Sequence, residues 1–392
     1  MLNTLPSSQW NKEKAAHLLR RAGFGGTAEQ IDELVSMNLK EAVRKLVYWQ
    51  DQPEYGQAPS WTSAQALEKR KEERIEARQL PQAQREDRQR QLRRQLNRQA
   101  RELKGWWLDR MINSTRPLEE KMTLFWHSHF VSSASKVRDG VTLWNQHEIF
   151  RRQGNGNFKD LTVAVGRDPA MLLYLDGNQS KQGAPNENYA RELMELFTLG
   201  EGNYTETDIQ ESARAHTGWR VDRLSSKAIF VKYNYDSGLK KFRGKSGKFN
   251  DEDIVEIILD DDQCARYIGS KIWTFFVSDV TNEKMAGYLG RTLKANDYDI
   301  SALLERLFTS EEFYADSVIG QQIKSPVDWY ISLTKSLPLR FTPKQLAPQI
   351  LSQLGQDLYN PPSVKGWDGG KNWINTSTLN TWWVIKVLTE LA

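Results

Sequence analysis

Apolar residues recur at spacings of three and four along most of the chain, which predicts helices separated by short polar breaks. Lys12–Arg21 carries one stripe (Ala15, Ala16, Leu18, Leu19). Thr27–Tyr48 carries a second (Ile31, Leu34, Val35, Leu39, Val43, Leu46), after a Gly23-Phe24-Gly25-Gly26 turn. Residues 51–64 are rich in Pro, Gln and Ser and read as a loop. In 67–104 the apolar positions thin to a narrow seam, Leu92, Leu96, Ala100, Leu103 and then Trp107, on a charged helix, and Pro81 marks the tip of a helical hairpin. Ser114 to Glu120 supplies a hydroxyl, a proline and two acids, a strong helix start, and the helix runs into Phe125-Trp126-His127-Ser128-His129-Phe130. Further helices are expected near 141–152, 159–166, 187–199 and 206–217.

The period changes in 220–249. Ala228 to Tyr233 is β-like, Asp236-Ser237-Gly238 is a turn, and Leu239 to Phe242 can pair back, so a small β-hairpin insertion is expected. From Asp251 the helical pattern resumes, with breaks near 278–281, 296–299, 337–342 and 357–375. The fold class is therefore mostly α: a multi-helix globular bundle, one helical domain over 1–392, with a charged helical arm and a small hairpin.

Composition narrows the function classes. A chain of 392 residues with 39% hydrophobic and 27% charged residues can bury a sizeable core. The single cysteine, Cys264, excludes an intrachain disulfide and a cysteine-based zinc or iron–sulfur site. No apolar run is long enough for a membrane-spanning helix. The first 25 residues lack the apolar region of a secretory signal, so a cytoplasmic location is expected. The net charge of +4 is uneven: 67–104 concentrates basic residues, and the remainder is slightly acidic. A broad nucleic-acid-binding surface is not implied, and few aromatics interleave with the arginines of the arm. The arm reads either as a solvated helical excursion or as a docking element.

Four segments concentrate polar side chains. His127 and His129 are two apart; on a helix they diverge by about 200°, so only one can face a given site. Asn186 to Gly200 reads as a complete helix with Asn186 as cap, Gly200 beyond its end and a core stripe of Tyr189, Leu193, Leu196 and Phe197. Asn188, Arg191, Glu192 and Glu195 lie on its other side. That side is either a solvated ion-pair face or, with the histidines, a buried polar network or metal site. Thr205 and Asp208 form a capping box, Gly218 ends that helix, and His216 near its end favours the helix dipole before any shared centre. Leu358 to Trp373, with two prolines, three glycines and two tryptophans, reads as a rigid loop of the kind that lines pockets. Gly244-Lys245-Ser246 is not a phosphate loop: the glycine required upstream is Leu239.

Five segments, in order and across nearly the whole chain, carry a resemblance. They are His17 to Gly25, Phe125 to Phe130, Asn186 to Leu196, Thr217-Gly218-Trp219 and Asn360 to Trp367. Together they resemble the bacterial family called domain of unknown function 1800. The resemblance implies no established activity. It implies instead that His127, His129, Asn186, Glu187, Asn188, Arg191, Glu192 and Glu195 are the polar residues to carry over. Relatives often look exported and accompany a sulfatase-like family, which implies a periplasmic alternative and a sulfatase-like or glycan partner.

Three functional readings follow, the third and least favoured being RNA or DNA binding through the arginine-rich arm, with a steep salt dependence. In the first the protein is a metal-dependent enzyme: His127, His129, Glu192 and Glu195 hold a divalent ion, and His127, His129, Glu192 and Arg191 act on substrate. Asn186, Glu187, Asn188, Trp126, Trp219 and Trp367 line the pocket. In the second it is a non-catalytic binding or scaffold protein whose buried polar network fixes helix packing.

Overall fold

The computed structural model describes residues 2–280, 282–336, 346–376 and 378–379. The chain is predominantly helical, with two small antiparallel ribbons. The first helix, Lys12–Arg21, is capped by Asn11, whose side chain accepts from Lys14 N–H. The stretch expected as one helix over 27–48 is two, Ala28–Ser36 and Leu39–Val47. Each opens with its own capping box, Thr27 with Gln30 and Asn38 with Glu41, so the cap at Asn38 breaks a continuous apolar stripe.

The arm is a helical hairpin of Ala64–Gln79 and Gln82–Asn113, with Pro81 opening the second helix. Its base is anchored in the body. Leu103, Trp107, Leu108 and Met111 enter the core, and Arg70 and Arg74 both pair with Asp139. Pro117–His129 follows and is buried along almost its whole length. It lies between two apolar clusters: Met122, Phe125 and Trp126 join the larger one, and Leu124 joins the smaller one built on Trp107, Trp144, Tyr330 and Tyr359.

The 220–249 region holds two hairpins rather than one. Trp219–Asp222 pairs with Lys227–Phe230, and Lys240–Phe242 with Lys245–Gly247. The β-like 228–233 stretch contributes to the strand Lys227–Phe230, which turns back on the strand before it, not on Leu239 to Phe242; a short turn at each end satisfies pairing locally at lower entropic cost. Helices resume at Asp251 and pack in sequence, with Asp262–Phe276 and Glu283–Ala295 closely apposed. Gly269 and Gly290 permit this: a Cβ on Gly269 would lie 2.8 Å from Gly290 N. The breaks expected near 278–281 and 296–299 separate these helices; that expected near 337–342 lies outside the described residues.

Candidate functional site

The helix Pro117–His129 sends its two imidazoles to opposite sides, as their spacing requires. His127 faces the smaller apolar cluster, among the rings of Trp107, Tyr359 and Trp367. Its Nε2 accepts from Tyr359 N–H at 2.9 Å, so the proton sits on Nδ1. His129 faces the larger cluster, stacked on Phe125 and close to Phe197. Its Nε2 lies 3.0 Å from Phe197 O. A carbonyl only accepts, so here the proton is on Nε2 and the lone pair on Nδ1. Burial holds both rings neutral, with pKa values lowered to about 3; Lys104 adds to the effect at His127 and Lys271 at His129.

The helix carrying the acidic motif meets this one through its main chain. It starts at Asn188, where Asn186 Oδ1 accepts from Asn188 N–H at 2.9 Å, and ends in a wide π-helical turn over Leu193–Thr198. Met194 O takes both Leu199 N–H and Gly200 N–H. The carbonyls left over at this end are taken by side chains: Leu196 O by Tyr267, Phe197 O by His129 and Leu199 O by Gln263. The carboxylates point elsewhere. Glu195 accepts from the Tyr204 hydroxyl, and Arg191 pairs with Glu206 at 2.6 Å and more loosely with Glu187. Partial burial raises the pKa of Glu192, and the Glu195 charge adds to it.

The four-ligand metal centre expected from His127, His129, Glu192 and Glu195 is therefore not assembled. Among the described residues no three His, Cys, Asp or Glu side chains are placed to hold a metal ion. The physical reason is that His127 has its Nε2 lone pair committed to Tyr359 N–H, His129 meets the other helix at Phe197 O, and Glu195 is engaged by Tyr204. The expected pocket wall is corrected too. Trp126 is a core residue whose Nε1–H donates to Gly154 O at 2.6 Å, and Trp219 donates to Asp251. Asn186, Glu187, Asn188, Arg191, Glu192 and Glu195 do not line the cavity described next.

That cavity, of about 210 Å³, lies where the Pro117–His129 helix ends under the 358–373 loop and against Asp262–Phe276. The loop is held down at several points. Tyr359, at φ +60°, donates to His127 through N–H, accepts from Ala134 N–H at 2.7 Å through O, and bonds His147 Nδ1 at 2.8 Å through its hydroxyl. Three bonds over-determine a strained backbone conformation. Gly366, at φ +83°, brings the loop main chain against the helix end: a Cβ there would sit 2.4 Å from Ser128 O.

The walls are Phe125, Phe275, Trp367 and Trp373, and His129 lines the same space. Several polar lining groups are already engaged: Gln322 donates to Phe275 O, Gln356 accepts from Val327 N–H, and Asp328 is paired with Lys121. Three donors have no hydrogen-bond or ion-pair partner among the described residues, although the Lys271 ammonium lies over the Tyr267 ring, 5.1 Å from its centroid. Trp367 Nε1–H is buried without a hydrogen-bond partner among the described residues. Lys271 and Lys365 both line the cavity. Burial lowers the pKa of Lys271, and the like charge of Lys365 lowers it further. Asp279 is the remaining acid in the lining; it is exposed and packs against Gly370.

The loop over the cavity, with Trp367, follows from the sequence; Lys271 does not. Lys271 sits in an unremarkable amphipathic helix, and its partners are about 95 and 140 residues away in the chain. A second buried constellation was equally hidden. Arg110 Nε donates to Glu120 at 2.7 Å and Nη2 to Glu119 at 3.2 Å, Trp107 Nε1–H donates to Glu120 at 3.0 Å, and Arg151 pairs with Glu119 and Glu148. Glu119 and Glu120 read from sequence as first-turn acids complementing a helix dipole; both are buried.

No helix among the described residues is long and apolar enough to cross a membrane. The family model described as "Protein of unknown function (DUF1800)" matches residues 17–391. No curated protein and no solved structure matches the chain.

Proposed function

We propose, for a chain that belongs to the DUF1800 family, that it is a binding protein for a small ligand with an anionic group and an apolar or aromatic body. The ligand occupies the cavity beneath the 358–373 loop. The observation that carries this reading is a set of donors without acceptors among the described residues: the buried Trp367 indole N–H, the half-buried Lys271 ammonium and the exposed Lys365 ammonium, around one partly open cavity. A buried donor left unpaired costs about 1–3 kcal/mol, and two like charges repel; a carboxylate, phosphate or sulfate ester relieves both. Lysines act as point charges toward such groups, and the indole supplies direction. Phe125, Phe275 and Trp373 provide faces for the rest of the ligand. His129, neutral with its Nδ1 lone pair unprotonated, offers an acceptor for a ligand hydroxyl or amine.

Calorimetric titration tests this with benzoate and inorganic phosphate against benzylamine, which has a similar ring and the opposite charge. Both anions bind the wild type, benzylamine does not, and Lys271→Met weakens benzoate roughly tenfold or more. Equal binding of benzoate and benzylamine, or no loss in the variant, refutes the reading.

A further inference from the structure

A second cavity, of about 740 Å³, opens between the helical arm and the body, and the site beneath the 358–373 loop makes no use of it. Its cationic lining is Arg74, Arg78, Arg85, Lys136, Arg138 and Arg223; its acids are Asp139 and Asp176. Both acids are already neutralised, Asp139 by Arg70 and Arg74 and Asp176 by Lys136 at 2.8 Å. Arg85 donates to Arg78 O and Leu80 O, and Arg138 to Ser135 O; these are carbonyls, which leave the guanidinium charges in place. Asp222 feels the charge of Arg78 but is engaged by Ser225 and Leu224 N–H. Four guanidinium groups, those of Arg78, Arg85, Arg138 and Arg223, thus surround the cleft without an ion-pair partner among the described residues.

The floor is apolar. Leu92 and Leu96, the half-buried seam of the arm, face Leu172, Leu173 and Leu224 of the body. No aromatic ring lines the cleft among the described residues. That composition discriminates between anions. Single-stranded nucleic acid binds by stacking on aromatic faces in a basic groove, and the faces are missing. An acidic polysaccharide would satisfy the arginines but leave the leucine floor uncovered. A peptide that alternates acidic and branched apolar side chains satisfies both, with carboxylates on guanidinium forks and apolar side chains on the floor.

We propose that the cleft between the Ala64–Gln79/Gln82–Asn113 hairpin and the body is a docking site for an acidic, leucine-rich segment of a partner protein. The arm is then one jaw of the site. Its base is fixed by the Arg70 and Arg74 pairs to Asp139, so the jaw is preset rather than formed on binding.

The test is fluorescence anisotropy on the full chain with a short fluorescein-labelled peptide alternating Glu and Leu, a Lys–Leu control, heparin and vesicles of anionic lipid. The Glu–Leu peptide binds the wild type, the control does not, and affinity falls as salt rises. Arg78→Glu with Arg223→Glu, both on exposed positions, weakens it roughly tenfold or more, and Leu92→Gln weakens it at every salt concentration. Circular dichroism of both variants matches the wild type. Failure of the Glu–Leu peptide to bind, equal affinity for wild type and charge variant, or binding of heparin or vesicles in preference to the peptide overturns the proposal.

Discussion

His129 Nε2 lies 3.0 Å from Phe197 O, and this bond joins the two polar segments of the sequence. The acceptor is a carbonyl at the end of a helix whose last turn is widened, not a carboxylate on its flank. The two segments do meet inside the fold, yet the chemistry of their meeting is structural at this contact. His129→Leu removes the donor and leaves Phe197 O buried and unpaired, so equilibrium denaturation should show a loss of about 1–3 kcal/mol. Glu192→Gln should be neutral or slightly stabilising, within about 0.5 kcal/mol, because burial and Glu195 already disfavour the ionised form. A larger loss from the glutamate than from the histidine would reverse this assignment.

His127 supports the loop that roofs the cavity. Replacing it with Phe keeps the ring contacts with Trp107 and Tyr359 but strands Tyr359 N–H, again at about 1–3 kcal/mol. The left-handed conformation at Tyr359 then loses one of its restraints, and amide hydrogen exchange around 358–367 should accelerate. Exchange that is unchanged in the loop would mean that the other bonds of Tyr359 suffice.

Stability should fall in acid. His17, His127 and His129 have folded pKa values lowered to about 3, and His147 lies well below its ordinary value, all chiefly through burial. Between pH 6.5 and about 3 the unfolded chain takes up protons on these rings and the folded chain does not, so acidification favours unfolding across that window. Asp168 acts in the opposite direction: burial raises its pKa to about 7, so protonation below that favours the folded form. Glu120 and Glu192, also raised by burial, act with Asp168, and His216, also lowered by burial, acts with the other four rings; five histidines outweigh three acids. Urea midpoints measured from pH 7 to pH 4 should decline steadily; a flat profile would show that the imidazoles are accessible to protons in the folded state.

The buried quartet of Arg110, Glu119, Glu120 and Arg151 sets the largest expected single loss. Glu120→Leu uncovers Arg110 and Trp107 Nε1–H together, at about 3–5 kcal/mol. The exposed pair of Arg191 with Glu206 provides the contrast: Arg191→Ala should cost roughly 1 kcal/mol or less. Thermal unfolding of both variants separates the two environments.

Helices, caps and the hairpin arm were legible in the sequence because each rests on local signals. Thr205 caps its helix by accepting from Asp208 N–H three residues on, and Pro81 breaks the arm where its ring forbids continuation. The divergence of His127 and His129 was legible for the same reason: it follows from helix geometry alone. The partners were not. Spacing cannot say whether Phe197 O or a glutamate greets His129, nor that Glu120 finds Arg110 on the helix before it. The strand pairing failed on competition between nearby partners, since the β-like 228–233 segment had strands available on either side. Lys271 went unnoticed because a lysine on an amphipathic helix reads as solvated, and only the fold places it beside Lys365 and Trp367.

The claim on which the functional reading rests is that the unpaired donor of Trp367 receives an anion. The indole resonance of Trp367 reports it directly, in a ¹⁵N-labelled sample with the peak identified by its loss in Trp367→Phe. Titration with benzoate should move that peak downfield in a saturable manner, with Lys271→Met shifting the curve to higher concentration. An indole peak that stays in place while benzoate reaches saturation elsewhere, or that never responds, would contradict the proposed site.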